Sequence, residues 1–297
     1  MRSQLLLAIL PFTQAIRIVQ SNDDGWAEIN IRTFFDTLSK AGHDVVLSGP
    51  AENQSGTSSS DAAPTTVDSD GCEFSSCPSG SPPTGANATN PRLNYVNSFP
   101  VTSIKTGIDT TGPKIWNGGK AELATTGPNV GSNIGIQVPF SGTVGAAVFA
   151  AHDRQIPAIA FSGKSGDPTA WDQPTPLYSK VYADLALNIT SRIISSGTPY
   201  LPNDVWLNVN FPDVSSTKCS NTNQFQFILT RINTGVFSEK DTEWCGTDRL
   251  PTETSVSLKS GCYVSISVGD AADKTTVDAA RQKEVLAKLQ PILSCLP

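Results

Sequence analysis

Residues 16–48, IRIVQSNDDGWAEINIRTFFDTLSKAGHDVVLS, read as one βαβ unit. The run 16–20 is rich in β-branched residues, as strands are. Between 26 and 40, Ile31, Phe34, Phe35 and Leu38 recur at helical spacing and fall on one face. Gly42 stands where a helix ends on a left-handed glycine. Residues 44–48, DVVLS, form a second strand. A strand, a crossover helix and a strand, in that order, argue for an α/β fold with a mainly parallel sheet. Between the first strand and the helix sits a polar knot, Ser21-Asn22-Asp23-Asp24-Gly25. On its own, such a knot is a turn.

The alternation continues along the chain. Residues 121–125 read as a strand running into TTGPNVGSN, 142–151 as a tightly packed helix of small residues, and 156–161 as a buried strand. Residues 177–194 place Val181, Leu185, Ile189 and Ile193 on one side of a helix that Gly197 ends. Further strands are expected at 205–209, 226–229 and 262–268, and a last helix at 275–290. Ser, Pro and Gly dominate 61–100, which reads as an irregular surface excursion within a single domain spanning 16–297.

Open α/β sheets bind ligands beyond the carboxyl ends of their strands. The first such loop holds Asn22, Asp23 and Asp24. The second, 49–57, is GPAENQSGT and holds Ser55. The third, 127–133, is GPNVGSN and holds Asn129 and Asn133; Ser141-Gly142-Thr143 then opens a helix. Together these loops offer two carboxylates, hydroxyls and amides, with no Cys or His. An all-oxygen set suits a hard divalent cation such as Mg²⁺, Mn²⁺ or Ca²⁺. A Ser-Gly-Thr helix start suits a phosphate group.

SNDDGW, AGHDVVLSGPAENQSGTSSS, TGPNVGSNIG and FSGTVGAA, in this order, resemble the SurE survival-protein family of metal-dependent phosphatases and nucleotidases. DVWLNVNFP and GCYVSISV resemble its closing strands, so the likeness covers 16–270. The resemblance implies a three-layer α/β/α sandwich with a Rossmann-like core, and a C-terminal β-hairpin and helix extension. It implies Asp23, Asp24, Ser55 and Asn129 as ligands of a divalent metal ion, Mg²⁺ or Mn²⁺ above all. It places Asn22, Asn133, Ser141, Gly142 and Thr143 around the substrate phosphate, with Asp23, Asp24, Asn133 and Ser141 as the catalytic set. A small phosphate ester, nucleotide or other, is the implied substrate. Since no Cys or His nucleophile lies in these loops, attack by a metal-activated water is favoured, with an aspartyl-phosphate route as the rival. Dimers or tetramers with an exchanged C-terminal element are implied as well. Two departures stand out. Asn30 occupies a position where relatives often carry glycine, and TGIDTTGPKIWNGGK at 106–120 replaces a Gly-Thr-Pro-Ala-Asp-Cys type segment. That altered segment is expected to govern which ester reaches the carboxylates.

Composition narrows the alternatives. The chain has 297 residues and a formal net charge of −6. It has no basic stripe, which argues against a nucleic-acid polymer as partner. No apolar run reaches the ~20 residues that span a bilayer. MRSQLLLAILPFTQA, residues 1–15, resembles a secretory signal, with Arg2, a short apolar run and Ala15 at the cut. Six cysteines fit export to an oxidising compartment. Cys72 and Cys77 suit a local disulfide. A plausible pairing of the other four is Cys219–Cys245 and Cys262–Cys295, although sequence leaves connectivity open. Sequons occur at Asn53, Asn87 and Asn188, Asn87 being the best placed. The signal and the disulfide excursion at 61–100 resemble secreted fungal-type members of the family, acid phosphatases, and the sequons fit a secretory route.

His43 reads as a solvated turn residue, His152 as structural and Arg231 as half of a surface ion pair. Trp26 adjoins the carboxylates and reads either as an aromatic that stacks on a base or closes the pocket, or as a rim or core aromatic; the loop with Asp167 and Asp172 is a candidate cap. One rival reading is a catalytically silent secreted protein that holds a metal and a phosphorylated ligand. Another, a nucleotide-sugar transferase, lacks a recognisable sugar-nucleotide segment.

Overall fold

β1 (Arg17–Ser21) lies near the centre of a nine-stranded sheet in the computed structural model, which describes residues 15–236 and 238–297. The expected leader, but for Ala15, lies outside the described residues. In chain order there follow α1 (Ile29–Lys40), β2 (Asp44–Pro50), β3 (Thr84–Ala86), β4 (Leu93–Val96), α2 (Pro100–Thr106), α3 (Gly112–Ile115), β5 (Leu123–Val130) and α4 (Gly142–Asp153). Then come β6 (Ala158–Gly163), α5 (Leu177–Ser195), β7 (Val205–Phe211), β8 (Gln226–Thr230), α6 (Glu253–Ser257), β9 (Tyr263–Asp270) and α7 (Ala279–Leu289). The strand order is β3-β4-β2-β1-β5-β6-β7-β9-β8. The pairs β3/β4 and β7/β9 are antiparallel and the others parallel.

Side chains alternate across each strand, so neighbours feed opposite faces. Ile18 packs with Phe34, Leu38 and Leu185 under α1 and α5. Val19 packs with Ile104 and Ala147 under α2 and α4. These two cores make the three layers. Phe34 meets Phe161 edge-on at 5.4 Å between ring centres, and truncating it to Ala would cost about 3–5 kcal/mol. α4 is apolar on all sides because both of its faces are covered.

Four expectations change. The first helix begins at Ile29, because Trp26–Glu28 turn back on β2 through Trp26 N–H to Pro50 O at 2.8 Å, and Glu28 caps the helix. The excursion 61–100 is not wholly irregular. LNYV at 93–96 joins the main sheet beside β2, with β3 folded against it as the edge strand. The C-terminal strands form no hairpin: β8 runs parallel to β9, and β9 is antiparallel to β7. That pairing also sets the disulfides. Besides Cys72–Cys77, the bonds are Cys219–Cys262 and Cys245–Cys295. The parallel start of β8 and β9 puts Gln226 N–H on Cys262 O, so the chain before β8 meets Cys262. The tail pairs with β8 through Ser294 N–H to Phe227 O, which carries Cys295 to Cys245.

Candidate functional site

Chain order reverses at β1. The chain passes first to β2 on one side and later to β5 on the other. A crevice opens at such a switch point, beyond the carboxyl ends of the two strands. The loop after β1 and the end of β5 meet there.

Asp23 and Asp24 are 2% and 1% exposed. Their surroundings differ. Asp23 accepts the Thr143 amide at 3.0 Å on Oδ2 and the Thr143 hydroxyl on Oδ1. Ser141 caps the same helix, its Oγ accepting the Val144 amide at 3.1 Å. The start of α4 therefore directs donors and its positive end at Asp23. Burial pushes the Asp23 carboxyl up, and the Thr143 bonds pull it back. Among the described residues, Asp24 accepts one hydrogen bond, from the Val130 amide at 2.8 Å on Oδ2. Burial pushes Asp24 well above the carboxylate range, and the charges of Asp23 and Glu28 add to the effect.

β5 bulges between Thr126 and Asn129, and a bulge re-aims the side chain beside it. Asn129 Nδ2 donates to Val130 O at 3.1 Å and Gly131 O at 2.6 Å. Its amide oxygen stands 3.3 Å from Thr143 Oγ1. Asn22 holds the carboxylate loop through Nδ2 to Gly25 O at 2.9 Å, and its own Oδ1 is buried without a donor. Ser55 is exposed. Its loop is tied to the carboxylates by Gln54 N–H to Asp23 O at 2.6 Å. Asn53 Oδ1 accepts the Ser55 amide at 2.9 Å.

Asn133 belongs to a polar network at the carboxyl ends of β6 and β7. Its amide donates to Asn210 Oδ1 at 2.8 Å, and its Nδ2 to Ser162 Oγ at 2.8 Å. Asn208 donates to the Asn133 carbonyl at 2.8 Å and to Glu253 Oε1 at 2.7 Å. Burial pushes Glu253 up to about 8. The Asn208 and Asn210 positions carried a legible signal, two polar residues two apart in an apolar strand. Glu28 and Glu73 carried none. Burial pushes Glu28 up to about 8, and burial with Glu52 pushes Glu73 to about 7. Glu73 lies against Gly25 with a buried, unpartnered oxygen.

Several side candidates settle elsewhere. Segment 106–120 starts midway along the sheet, Gly107 lying against Val19 and Ser48, and runs away from Asp23, so that Trp116 Nε1 donates at 2.9 Å to Asp44, the first residue of β2. Arg231 is buried, not on the surface, in a 2.6 Å pair with Asp241. His43 is buried too, not solvated. Trp26 is a core aromatic, its Nε1 donating to Ser76 Oγ at 2.8 Å. His152 pairs with Asp204 at the surface, at 2.9 Å. Asp167 and Asp172 are exposed on a loop pinned to the start of α1.

The donor chemistry fits a hard cation. Two adjacent carboxylates are buried together, and no Lys or Arg among the described residues pairs with either. Uncompensated buried charge is costly, and a divalent ion would offset it. No three His, Cys, Asp or Glu side chains among the described residues gather as a metal group. Amide and hydroxyl oxygens would have to complete the set.

The family profile described as "Survival protein SurE" matches residues 18–237. An acid phosphatase from Yarrowia lipolytica is 35% identical over 281 residues, covering 84% of this chain and 78% of its own. A 5'-nucleotidase SurE from Lawsonia intracellularis is 29% identical over 208 residues, covering 68% of each chain. The crystal structure of the SurE protein from Aquifex aeolicus superposes with a TM-score of 0.60 at 20% identity. It covers 91% of this chain and 98% of that one, a likeness of fold.

Proposed function

The chain belongs to the SurE survival-protein family, and from that premise we propose a divalent-cation-dependent phosphomonoesterase whose cation is held by Asp23, Asp24, Ser55 and Asn129. The chain is a hydrolase of phosphoric monoesters, as those relatives are by name. The observation that carries the cation reading is the buried Asp23–Asp24 pair at the switch point with no basic partner among the described residues.

A cation bound there would neutralise phosphoryl oxygens and lower the pKa of a coordinated water. The protein's own groups divide the remaining work. Thr143 fixes both oxygens of Asp23, and the Val130 amide fixes one oxygen of Asp24. Asn129 turns its amide oxygen toward the same space. Asn22, Asn133, Ser141, Gly142 and Thr143 border the phosphoryl group in this reading. The first N–H groups of α4 are already given to Asp23 and Ser141. The helix start therefore acts on phosphate mainly by setting the charge of Asp23. Mg²⁺ and Mn²⁺ suit the oxygen set best. Nucleoside monophosphates and other small phosphate esters are the substrate class.

Three disulfides are of the kind that persist in oxidising compartments, which supports secretion. A leader at 1–15, a glycan at Asn87, a single domain over 16–297 and a dimer or tetramer complete the proposal. Phosphate release on a mixed ester panel, with and without chelator, tests it. Release that persists after chelation overturns the cation dependence. A covalent phosphoprotein trapped by rapid quench overturns direct attack by water.

A further inference from the structure

We propose that Lys274 is a positioning residue for Ser55, clamping the Ser55 loop to the segment that leads into α4. This rests on the ligand role proposed for Ser55. Lys274 lies in the turn after β9, where its amide donates to Asp270 O at 2.9 Å and its φ is +63°. Glycine is the ordinary residue for that backbone conformation. The chain uses a half-buried lysine instead, and no carboxylate among the described residues pairs with it. Its Nζ donates to Ser58 Oγ at 3.1 Å and to Pro139 O at 3.4 Å.

Ser58 is also left-handed, with φ +54°. Its amide donates to Phe140 O at 3.0 Å and its hydroxyl to Pro139 O at 2.6 Å. Its carbonyl packs so tightly on Gly145 of α4 that a Cβ there would overlap it. Non-glycine residues keep such a backbone only where their surroundings over-determine it. Stretches 52–60, 135–140 and 271–278 thus meet at one hydroxyl. Ser55 hangs between two ties, Gln54 on Asp23 and Ser58 on the approach to α4. Its own hydroxyl is in no hydrogen bond among the described residues, so the ties decide where it stands. A ligand whose position is fixed beforehand binds without an ordering cost.

The test is calorimetric titration of the chelator-stripped full chain with Mn²⁺, in wild type, Ser55→Ala, Lys274→Met and the double variant. Lys274→Met is expected to weaken Mn²⁺ binding about tenfold. The double variant is expected to bind no more weakly than Ser55→Ala alone, because both changes remove one interaction. Losses that add, or Lys274→Met binding as tightly as wild type, overturn the clamp. A wild type that takes up no Mn²⁺ overturns the cation site and the clamp with it. If Lys274→Met does not fold, Ser58→Ala removes the clamp from the other side and is read by the same criteria.

Discussion

Gly142 lies so close to Asp23 that a Cβ on the glycine would stand 2.9 Å from the Asp23 Cβ and 3.1 Å from its Oδ2. Pro100 closes the other side, with its Cγ at 2.9 Å from the same point. Thr143 can reach Asp23 only because position 142 has no side chain. Gly142→Ala is expected to push Asp23 off Thr143, lowering kcat/KM at least tenfold and stability by about 1–3 kcal/mol. Phosphate release and a thermal melt measure the two. An alanine variant of wild-type activity would mean that the Thr143 bonds are dispensable.

Asp24 is buried beside a second carboxylate with one hydrogen-bond donor. Removing its charge relieves desolvation and repulsion in the cation-free protein. Asp24→Asn is therefore expected to raise the Tm of the chelator-treated chain while abolishing both turnover and the Tm rise on adding Mn²⁺. Asp23→Asn is expected to abolish turnover with the fold intact. Circular dichroism melts with and without Mn²⁺ decide both.

Glu253 gives a pH dependence of known sign. Burial raises its pKa from 4.5 to about 8. The folded chain then binds a proton that the unfolded chain releases. This stability is full below pH ~4.5 and is lost as pH rises through ~8. Glu253→Gln keeps a neutral side chain beside Asn208 and Gly135. It is expected to flatten the fall in Tm between pH 5 and 8, as the Tm of both proteins across that range will show.

Trp116 tests the location of segment 106–120. Trp116→Phe removes the bond to Asp44 and is expected to cost about 1 kcal/mol. The ranking of phosphate esters by kcat/KM is expected to stay the same. A changed ranking would return this segment to the crevice.

The βαβ opening was legible because apolar period and punctuation agree: Ile31, Phe34, Phe35 and Leu38 form one stripe, and Gly42 takes φ +94° where the helix stops. Asp23, Asp24 and Asn129 could be placed at strand ends for the same reason, since a strand's end is a local property. Partners distant in the chain were not legible. Lys274 reaches Ser58 across more than two hundred residues, and Glu253 meets Asn208 only after β7 and β9 pair. Cys72–Cys77 was legible as a local pair, but Cys219–Cys262 followed the parallel register of β8 on β9 and Cys245–Cys295 the pairing of the tail with β8, which no spacing of cysteines encodes. Segment 106–120 stood out because it replaces a segment found in relatives, but sequence could not show that its Trp116 bonds to Asp44 at the end of the sheet away from Asp23. Local chemistry is written in neighbouring residues, so the sequence alone yielded the strand-end oxygen donors. Burial, register and charge compensation depend on contacts between remote segments, and these arose only when the sheet closed around β1.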